Sequence, residues 1–352
     1  RLNSDEYDVL NEQDQIARRS RTEFNLGSRK QIGEYLQKFG WKPTKFTPTG
    51  QPIVDESTLK KIDSIPQAKL IADYLMYQKR IAQIKSWLDS VDNKDRVHGF
   101  VNHNGTITGR MTHREPNLAQ VPSSNSPYGK DCRACWTVPK GYNLVGIDAS
   151  GLELRMLSHY MNDKDFTNEI LHGDIHTANQ KIAGLKSRNQ AKTFIYAFIY
   201  GAGNEKLGSV VGGGKQDGQR LKQRFLANLP SLRNLKDRVT RAASKGYIKG
   251  LDGRKIYIRS AHSALNALLQ GGGSIVMKKA LELLNEYIIE HDLDAHFVAN
   301  IHDEWQIEVV KKDAKKVGEL GVLAIQNAGL VFDTKCPLDG EYHIGDNWSE
   351  TH

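Results

Sequence analysis

Cysteine is scarce. Cys132, Cys135 and Cys336 are the three in 352 residues, an odd and small number that argues against a disulfide framework and suits a reducing compartment. Cys132-Arg-Ala-Cys135 has Cys-x-x-Cys spacing, but a zinc ribbon needs a second pair and a redox motif needs its own fold context. No apolar run approaches the ~20 residues of a membrane span, and no secretory-signal pattern opens the sequence. A soluble protein with no membrane partner is therefore expected. Gly212 to Gly214 lies outside the strand-turn-helix setting of a dinucleotide fingerprint and reads as a loop between helices.

Charge is plentiful. Lys and Arg outnumber Asp and Glu to give a net charge of +8, which suits a polyanionic partner, although the acids are abundant enough to make the surface patchy. The length allows two or three domains and a substantial core.

The central stretch is Leu144 to Arg155, Leu-Val-Gly-Ile-Asp-Ala-Ser-Gly-Leu-Glu-Leu-Arg. Leu144, Val145 and Ile147 predict a buried strand that presents Asp148 at its end. Gly151 allows a turn, and Leu152, Leu154 and Leu157 start a helix that Ser150 is placed to cap. Alone, Asp148 reads first as an acid that merely caps the helix. A second stretch, Phe297 to Val310, folds two β-prone runs around His302-Asp303-Glu304. Acids at two strand ends that faced each other would repel without a cation. Divalent ions about 3.5–4 Å apart, held by such carboxylates, serve phosphoryl transfer, and hard oxygen ligands point to Mg²⁺ rather than zinc.

Between these lies Arg188 to Gly201, in which Arg188, Lys192, Tyr196 and Tyr200 recur every fourth residue. On a helix they form one drifting face, two cations followed by two aromatics, with Phe194, Ile195, Phe198 and Ile199 available to pack behind. Such a face matches a nucleoside triphosphate: cations for phosphates, rings for sugar and base. Taken alone, it also reads as a basic amphipathic helix with half-buried tyrosines.

Together, Asp-Ala-Ser-Gly-Leu-Glu-Leu-Arg at 148–155, Arg-x3-Lys-x3-Tyr-x3-Tyr-Gly at 188–201 and His-Asp-Glu at 302–304 resemble motifs A, B and C of family A DNA polymerases, most closely the T7-like bacteriophage replicative branch. Thr-Gly-Arg-Met-Thr-His at 108–113, Pro-Asn-Leu-Ala-Gln-Val-Pro at 116–122, Gly-Asp-Ile-His-Thr at 173–177 and Gly-Leu-Asp-Gly-Arg-Lys at 250–255 add to the resemblance, which fades before about Phe24.

The resemblance implies an α+β right-hand polymerase fold: an antiparallel β palm, α-helical fingers and a partial α-helical thumb. It places a partial thumb at 1–96, palm at 97–158, fingers at 159–261 and palm again at 262–352. It implies template-directed DNA synthesis, with two Mg²⁺ ions on Asp148, Asp303 and the Ala149 carbonyl and with Glu304 nearby. Arg188, Lys192 and His176 would grip the dNTP, Lys192 also protonating the leaving pyrophosphate. Tyr196 would lie under the sugar and Glu153 beside its C2′. Arg110, Tyr200, Asn266, Gln270 and His302 would touch primer-template DNA, Arg110 in the minor groove. No role follows for His172. A Tyr at 196 resembles the phage type that tolerates dideoxynucleotides.

Further expectations concern organisation. Residues 1 to about 30, with Arg18, Arg19 and Arg21 clustered, read as a helix or a partly ordered lead-in. A helix capped near Ser28, another near Ser57 and a long amphipathic helix over Pro66–Leu88 precede short β runs. That long helix carries Leu70, Ile71, Tyr74, Leu75, Gln78, Ile81, Ile84 and Leu88 at helical spacing. Pro122 to Pro139 reads as a turn-rich connector, and Lys255 to Ile258 has strand character near template DNA. Ala264 to Ile289 reads as the longest helix, interrupted by Gly271-Gly272-Gly273, where a kink or close packing is expected. The last segment of the sequence, with Asp346-Asn347-Trp348, resembles the family's C-terminal stretch near the palm. No room appears before the thumb-like helices for the proofreading exonuclease of this branch. Either the sequence is part of a longer chain or the polymerase half is a separate polypeptide. No 3′→5′ exonuclease activity and low processivity alone are expected, with a separate exonuclease subunit or processivity factor as candidate partners. A monomer in the cytoplasm of a phage-infected bacterium is expected. The rivals are a single-subunit RNA polymerase, in which Glu153 would obstruct a ribose; a two-metal nuclease, which has no use for the Arg188–Tyr200 face; and a silent DNA-binding relic.

Overall fold

The computed structural model describes residues 23–352, together with the backbone of 5–10 and 16–21. The chain divides into two units, Arg1–Val97 and His98–His352.

In the first unit, β1 (Asp5–Leu10) and β2 (Ile16–Arg21) pair antiparallel, Asp5 opposite Arg21 and Asp8 opposite Arg18. A hairpin thus stands where a helix or a partly ordered lead-in was expected. Helix α1 (Arg29–Lys38) starts at Ser28, whose hydroxyl accepts the Gln31 N–H, and α2 (Glu56–Leu59) at Asp55, which accepts from Thr58. Helix α3 (Pro66–Leu88) begins with Pro66 in its first turn, where the missing N–H costs nothing. Ile32, Leu36, Leu59, Ile65, Ala68, Ile71, Ala72 and Leu75 form the unit's core. The expected stripe on α3 is only partly buried: Leu70 is 69% exposed, Ile81 57% and Leu88 68%. A 23-residue helix is about 35 Å long, and the small cluster beneath it buries chiefly its first half, with Trp87 near the end.

The second unit opens with β3 (Phe100–Asn102) and β4 (Thr112–Arg114), which pair antiparallel. Helix α4 (Gly129–Ala134) follows, inside the segment expected to be a turn-rich connector. Its Cys132 and Arg133 are buried while Cys135 is exposed, so tertiary packing stabilises a helix too short to announce itself. Strand β5 (Tyr142–Ala149) leads to α5 (Leu152–Met161), α6 (Lys164–His172), α7 (Ile175–Ala183), α8 (Arg188–Ile199), α9 (Asn204–Ser209), α10 (Lys215–Asn228) and α11 (Pro230–Ala243). The hairpin of β6 (Tyr247–Lys249) and β7 (Lys255–Tyr257) precedes α12 (Ala264–Glu290). Then come β8 (Ala295–Ile301), β9 (Glu304–Val310), α13 (Ala314–Val331) and β10 (Gly340–Gly345).

Four antiparallel strands in the order β10-β5-β9-β8 form the central sheet. Side chains alternate across it. A Cβ on Gly321 of α13 would meet Ile147 at 2.3 Å, so Ile147 faces that helix. Gly146 therefore faces the other way, where a Cβ would lie 2.1 Å from the Thr351 carbonyl oxygen. Asp148 shares the Gly146 face, and its register partner is Glu304. Helix α12 runs unbroken through Gly271-Gly272-Gly273. The triplet serves close packing: a Cβ on Gly271 would sit 2.7 Å from Ile256, and one on Gly272 3.1 Å from Met156. Glycine's helix cost of roughly 1 kcal/mol per residue is offset by seating α12 against β7 and α5.

Candidate active site

Asp148 and Asp303 come from different strand ends and meet through backbone: the Ala149 N–H donates to the Asp303 carbonyl at 3.0 Å. Asp303 sits in the two-residue turn between β8 and β9, entered through His302 in the left-handed region at φ 61°. A non-glycine residue there is uncommon and concentrates at sites where geometry outranks comfort. Glu304 lies in β9 rather than in the turn.

Burial pushes the Asp148 carboxyl up to about 7, with the charges of Asp303 and Glu304 adding to the effect. Burial likewise pushes Asp303 up to about 6, followed by the charges of Glu153 and Glu304. Crowded carboxylates held above their ordinary range are a site short of positive charge. Among the described residues no three His, Cys, Asp or Glu side chains converge as a metal cage. Two carboxylates fit Mg²⁺, which keeps much of its shell for water and substrate oxygens. Cys132, in α4, and Cys135, the residue that follows that helix, form no disulfide. His172 closes α6 whereas His176 lies in α7, so they are not an i, i+4 pair on one helix face.

Helix α5 starts from Gly151 at φ 58°, not from Ser150, whose N–H donates to the Asp339 carbonyl at 3.0 Å. This turn places Glu153 on the first turn of α5, buried, where one oxygen, Oε1, accepts from Arg110 Nη2 at 2.9 Å and from the Tyr200 hydroxyl at 2.7 Å. Burial, then the Glu153 charge, hold the Tyr200 phenol well above its ordinary value. Tyr196 stacks on Tyr200, rings 6.5 Å apart at 23°. Its phenol is raised by burial first and then by Glu153, Asp303 and Asp148, so the α8 face looks onto all three acids. Phe194, Ile195, Phe198 and Ile199 are buried behind that face.

At the other end of α8 the cations gather. Arg188 Nε donates to Asp174 Oδ2 at 2.7 Å, and Asp174 also caps α7 by accepting from the His176 and Thr177 N–H groups. Burial, followed by the charges of Arg188 and Lys192, holds His176 below its ordinary value. Its ring lies 6.1 Å from Tyr196, and its buried Nδ1 has no partner. Asp174 went unassigned in the sequence, although its position before Ile-His-Thr is a capping signal.

The residues expected at DNA lie on the flank. Gly109, at φ 78°, brings the backbone beside Ser274, Arg254 and Lys278. Arg110 and His302 line one small cleft with Lys278, whose Nζ donates to the His103 carbonyl at 2.7 Å. Asn266 Nδ2 donates to the Ile199 carbonyl at 3.4 Å, tying α12 to the end of α8. Gln270 is half-buried one turn further along α12. All these residues belong to the second unit.

A model of DNA polymerase family A matches residues 4–350. The DNA-directed DNA polymerase of Enterobacteria phage T3 is 43% identical over 94% of this chain and 53% of its own length; that of Escherichia phage T7 is 42% identical over the same shares. DNA polymerase I of Pseudomonas aeruginosa is 29% identical over 94% of this chain and 39% of its length. The chain thus spans about half the length of the curated phage relatives it matches. Among solved structures, the POL domain of Pol1 from M. smegmatis, in complex with DNA primer-template and dNTP, superposes with a TM-score of 0.83 at 22% identity, covering 94% of this chain and 62% of that one. This likeness is one of fold, the right-hand polymerase arrangement of helices about an antiparallel sheet.

Proposed function

The chain belongs to DNA polymerase family A, and from that premise we propose that it performs template-directed DNA synthesis, adding dNTPs to a primer 3′ end with release of pyrophosphate. One observation carries this reading: the Asp148–Asp303 pair, with both carboxyls raised, faces the Tyr196 side of α8, whose first turns carry Arg188 and Lys192 with His176 of α7 beside them. That order of acids, ring and cations is the one a nucleoside triphosphate requires at a phosphoryl-transfer centre.

Asp148 and Asp303, with the Ala149 carbonyl, would hold two Mg²⁺ ions, which when bound supply positive charge at the reacting phosphate. Arg188, Lys192 and His176 bind the triphosphate; Lys192 stands free on the exposed side of α8 to protonate the departing pyrophosphate. Tyr196 carries the sugar. Glu153, pinned by Arg110 and Tyr200, fills the space a ribose 2′-hydroxyl would need, so the substrate is a deoxynucleotide. Tyr200 meets the templating base, while Arg110, Asn266, Gln270 and His302 contact primer and template. The first unit would serve as a partial thumb through residue 96, with palm at 97–158 and 262–352 and fingers at 159–261. A separate exonuclease subunit or processivity factor remains part of the proposal, as does a monomeric protein in the phage-infected bacterial cytoplasm. Among the described residues no helix is long and apolar enough to cross a membrane.

The test is extension of a 5′-labelled primer on a DNA template with dNTPs and Mg²⁺, beside Asp148→Asn and Asp303→Asn. Template-length products that vanish in both variants are expected. Extension surviving either substitution would mean that the pair is not the catalytic centre.

A further inference from the structure

Glu304 opens β9 next to Asp148, is 4% exposed, and already has its carboxylate engaged. Oε1 accepts from Gln306 Nε2 and from Trp348 Nε1, each at 2.6 Å. Arg133 Nη1 lies 3.9 Å from the same oxygen. Oε2 pairs with His352 Nδ1 at 2.9 Å. The surroundings are built to hold this arrangement. The Thr351 hydroxyl donates to Gln306 Oε1 at 2.7 Å, which turns the amide NH₂ toward Glu304. The Arg133 guanidinium stacks 4.6 Å over the Trp348 ring and donates through Nε to the Pro122 carbonyl at 3.0 Å. Trp348 anchors its own backbone to the Trp136 carbonyl at 3.0 Å. Gly146 leaves the room that residue 351 occupies.

With two donors Oε1 is closed, whereas Oε2 depends on His352 alone. Asp148 lies within electrostatic reach of both Glu304 and His352. We infer that Glu304 is a fixed anion rather than an open ligand, and that His352 is a positioning residue that keeps the Glu304 carboxylate from turning toward the cation site of Asp148 and Asp303. Released, Oε2 would offer a third, competing carboxylate oxygen to a divalent ion meant to keep places for substrate. The inference rests on the polymerase reading of that site.

Single-nucleotide extension kinetics with wild type, His352→Ala, His352→Asn, Glu304→Gln and the His352→Ala/Glu304→Gln double variant test it, with thermal unfolding recorded for each. Loss of a side chain that orients a metal-site group reduces metal affinity or activity by about 10–100-fold, and a fall of that size in kcat, with KM for primer-template unchanged, is expected for His352→Ala. Asn restores most of the rate, because its amide nitrogen takes the place of the ring Nδ1. In the Glu304→Gln background, removing His352 costs no more than about twofold, the non-additivity of a residue acting through its partner. Mn²⁺ titration of the primer-template complex with a non-hydrolysable dNTP, followed by electron paramagnetic resonance, shows altered affinity or stoichiometry in His352→Ala. Equal losses in both backgrounds, a loss confined to KM for DNA, or unchanged Mn²⁺ binding would overturn the inference. If wild type itself fails to extend, the polymerase reading falls, and the Mn²⁺ titration still decides the role of His352.

Discussion

Replacing Asp148 by Asn should make the cation-free protein more stable, and more so as pH rises. In the folded chain the Asp148 carboxyl is raised from 3.8 to about 7. Between those values the folded state binds a proton that the unfolded state has lost, so stability falls as pH rises, by about 1.4 kcal/mol per pH unit for one group. Below pH 4 both states hold the proton and the loss is absent; above pH 7 it is complete, on the order of 4 kcal/mol at most. Asn has no proton to lose. The difference between wild type and variant cancels the titrating groups that do not interact with Asp148, whereas its coupled neighbours, Asp303 first, are relieved along with it in the variant. The assay is thermal unfolding in EDTA from pH 4 to 8. With about 2–4 °C per kcal/mol for a domain of this size, the variant should match wild type at pH 4 and melt about 5–15 °C higher at pH 8. Millimolar Mg²⁺ should recover part of that gap in wild type and do little for the variant. A difference that stays flat across pH 5 to 8, or a variant less stable at pH 8, would refute the account of Asp148 as a carboxylate held against its neighbours.

Three further outcomes are expected. Tyr200→Phe and Glu153→Gln should show a coupling of about 1–2 kcal/mol in a double-mutant cycle on unfolding, since the Tyr200 hydroxyl donates to a buried carboxylate; additivity within experimental error would sever that link. Tyr196→Phe should strongly increase discrimination against dideoxynucleotides, and an unchanged ddNTP/dNTP selectivity ratio speaks against the placement of Tyr196 under the sugar. Gly146→Ala should cost about 3 kcal/mol by overpacking, because its Cβ would collide with the Thr351 carbonyl; urea unfolding with no change in midpoint would show that residues 348–352 do not lie on that face.

Much of this protein was legible in its sequence because the signals are local. The apolar run before Asp148 predicts β5, the Arg188-to-Tyr200 spacing predicts the exposed face of α8, and Ser28 and Pro66 mark helix starts that the fold keeps. Period and capping are properties of a few consecutive residues. Other features were decided only when distant segments met. Arg110 and Tyr200 share one Glu153 oxygen across 43 and 47 residues of chain, and Trp348 reaches Glu304 across 44. Helix α4 exists around a buried Arg133 that needs Glu304 and Trp348 in place. The glycine triplet in α12 looks like a helix breaker by propensity, yet it is what lets that helix approach Met156 and Ile256. Residue types and spacings set which elements form and which side chains carry chemistry; which groups share a proton, a charge or a van der Waals surface depends on packing, and packing is a property of the folded whole.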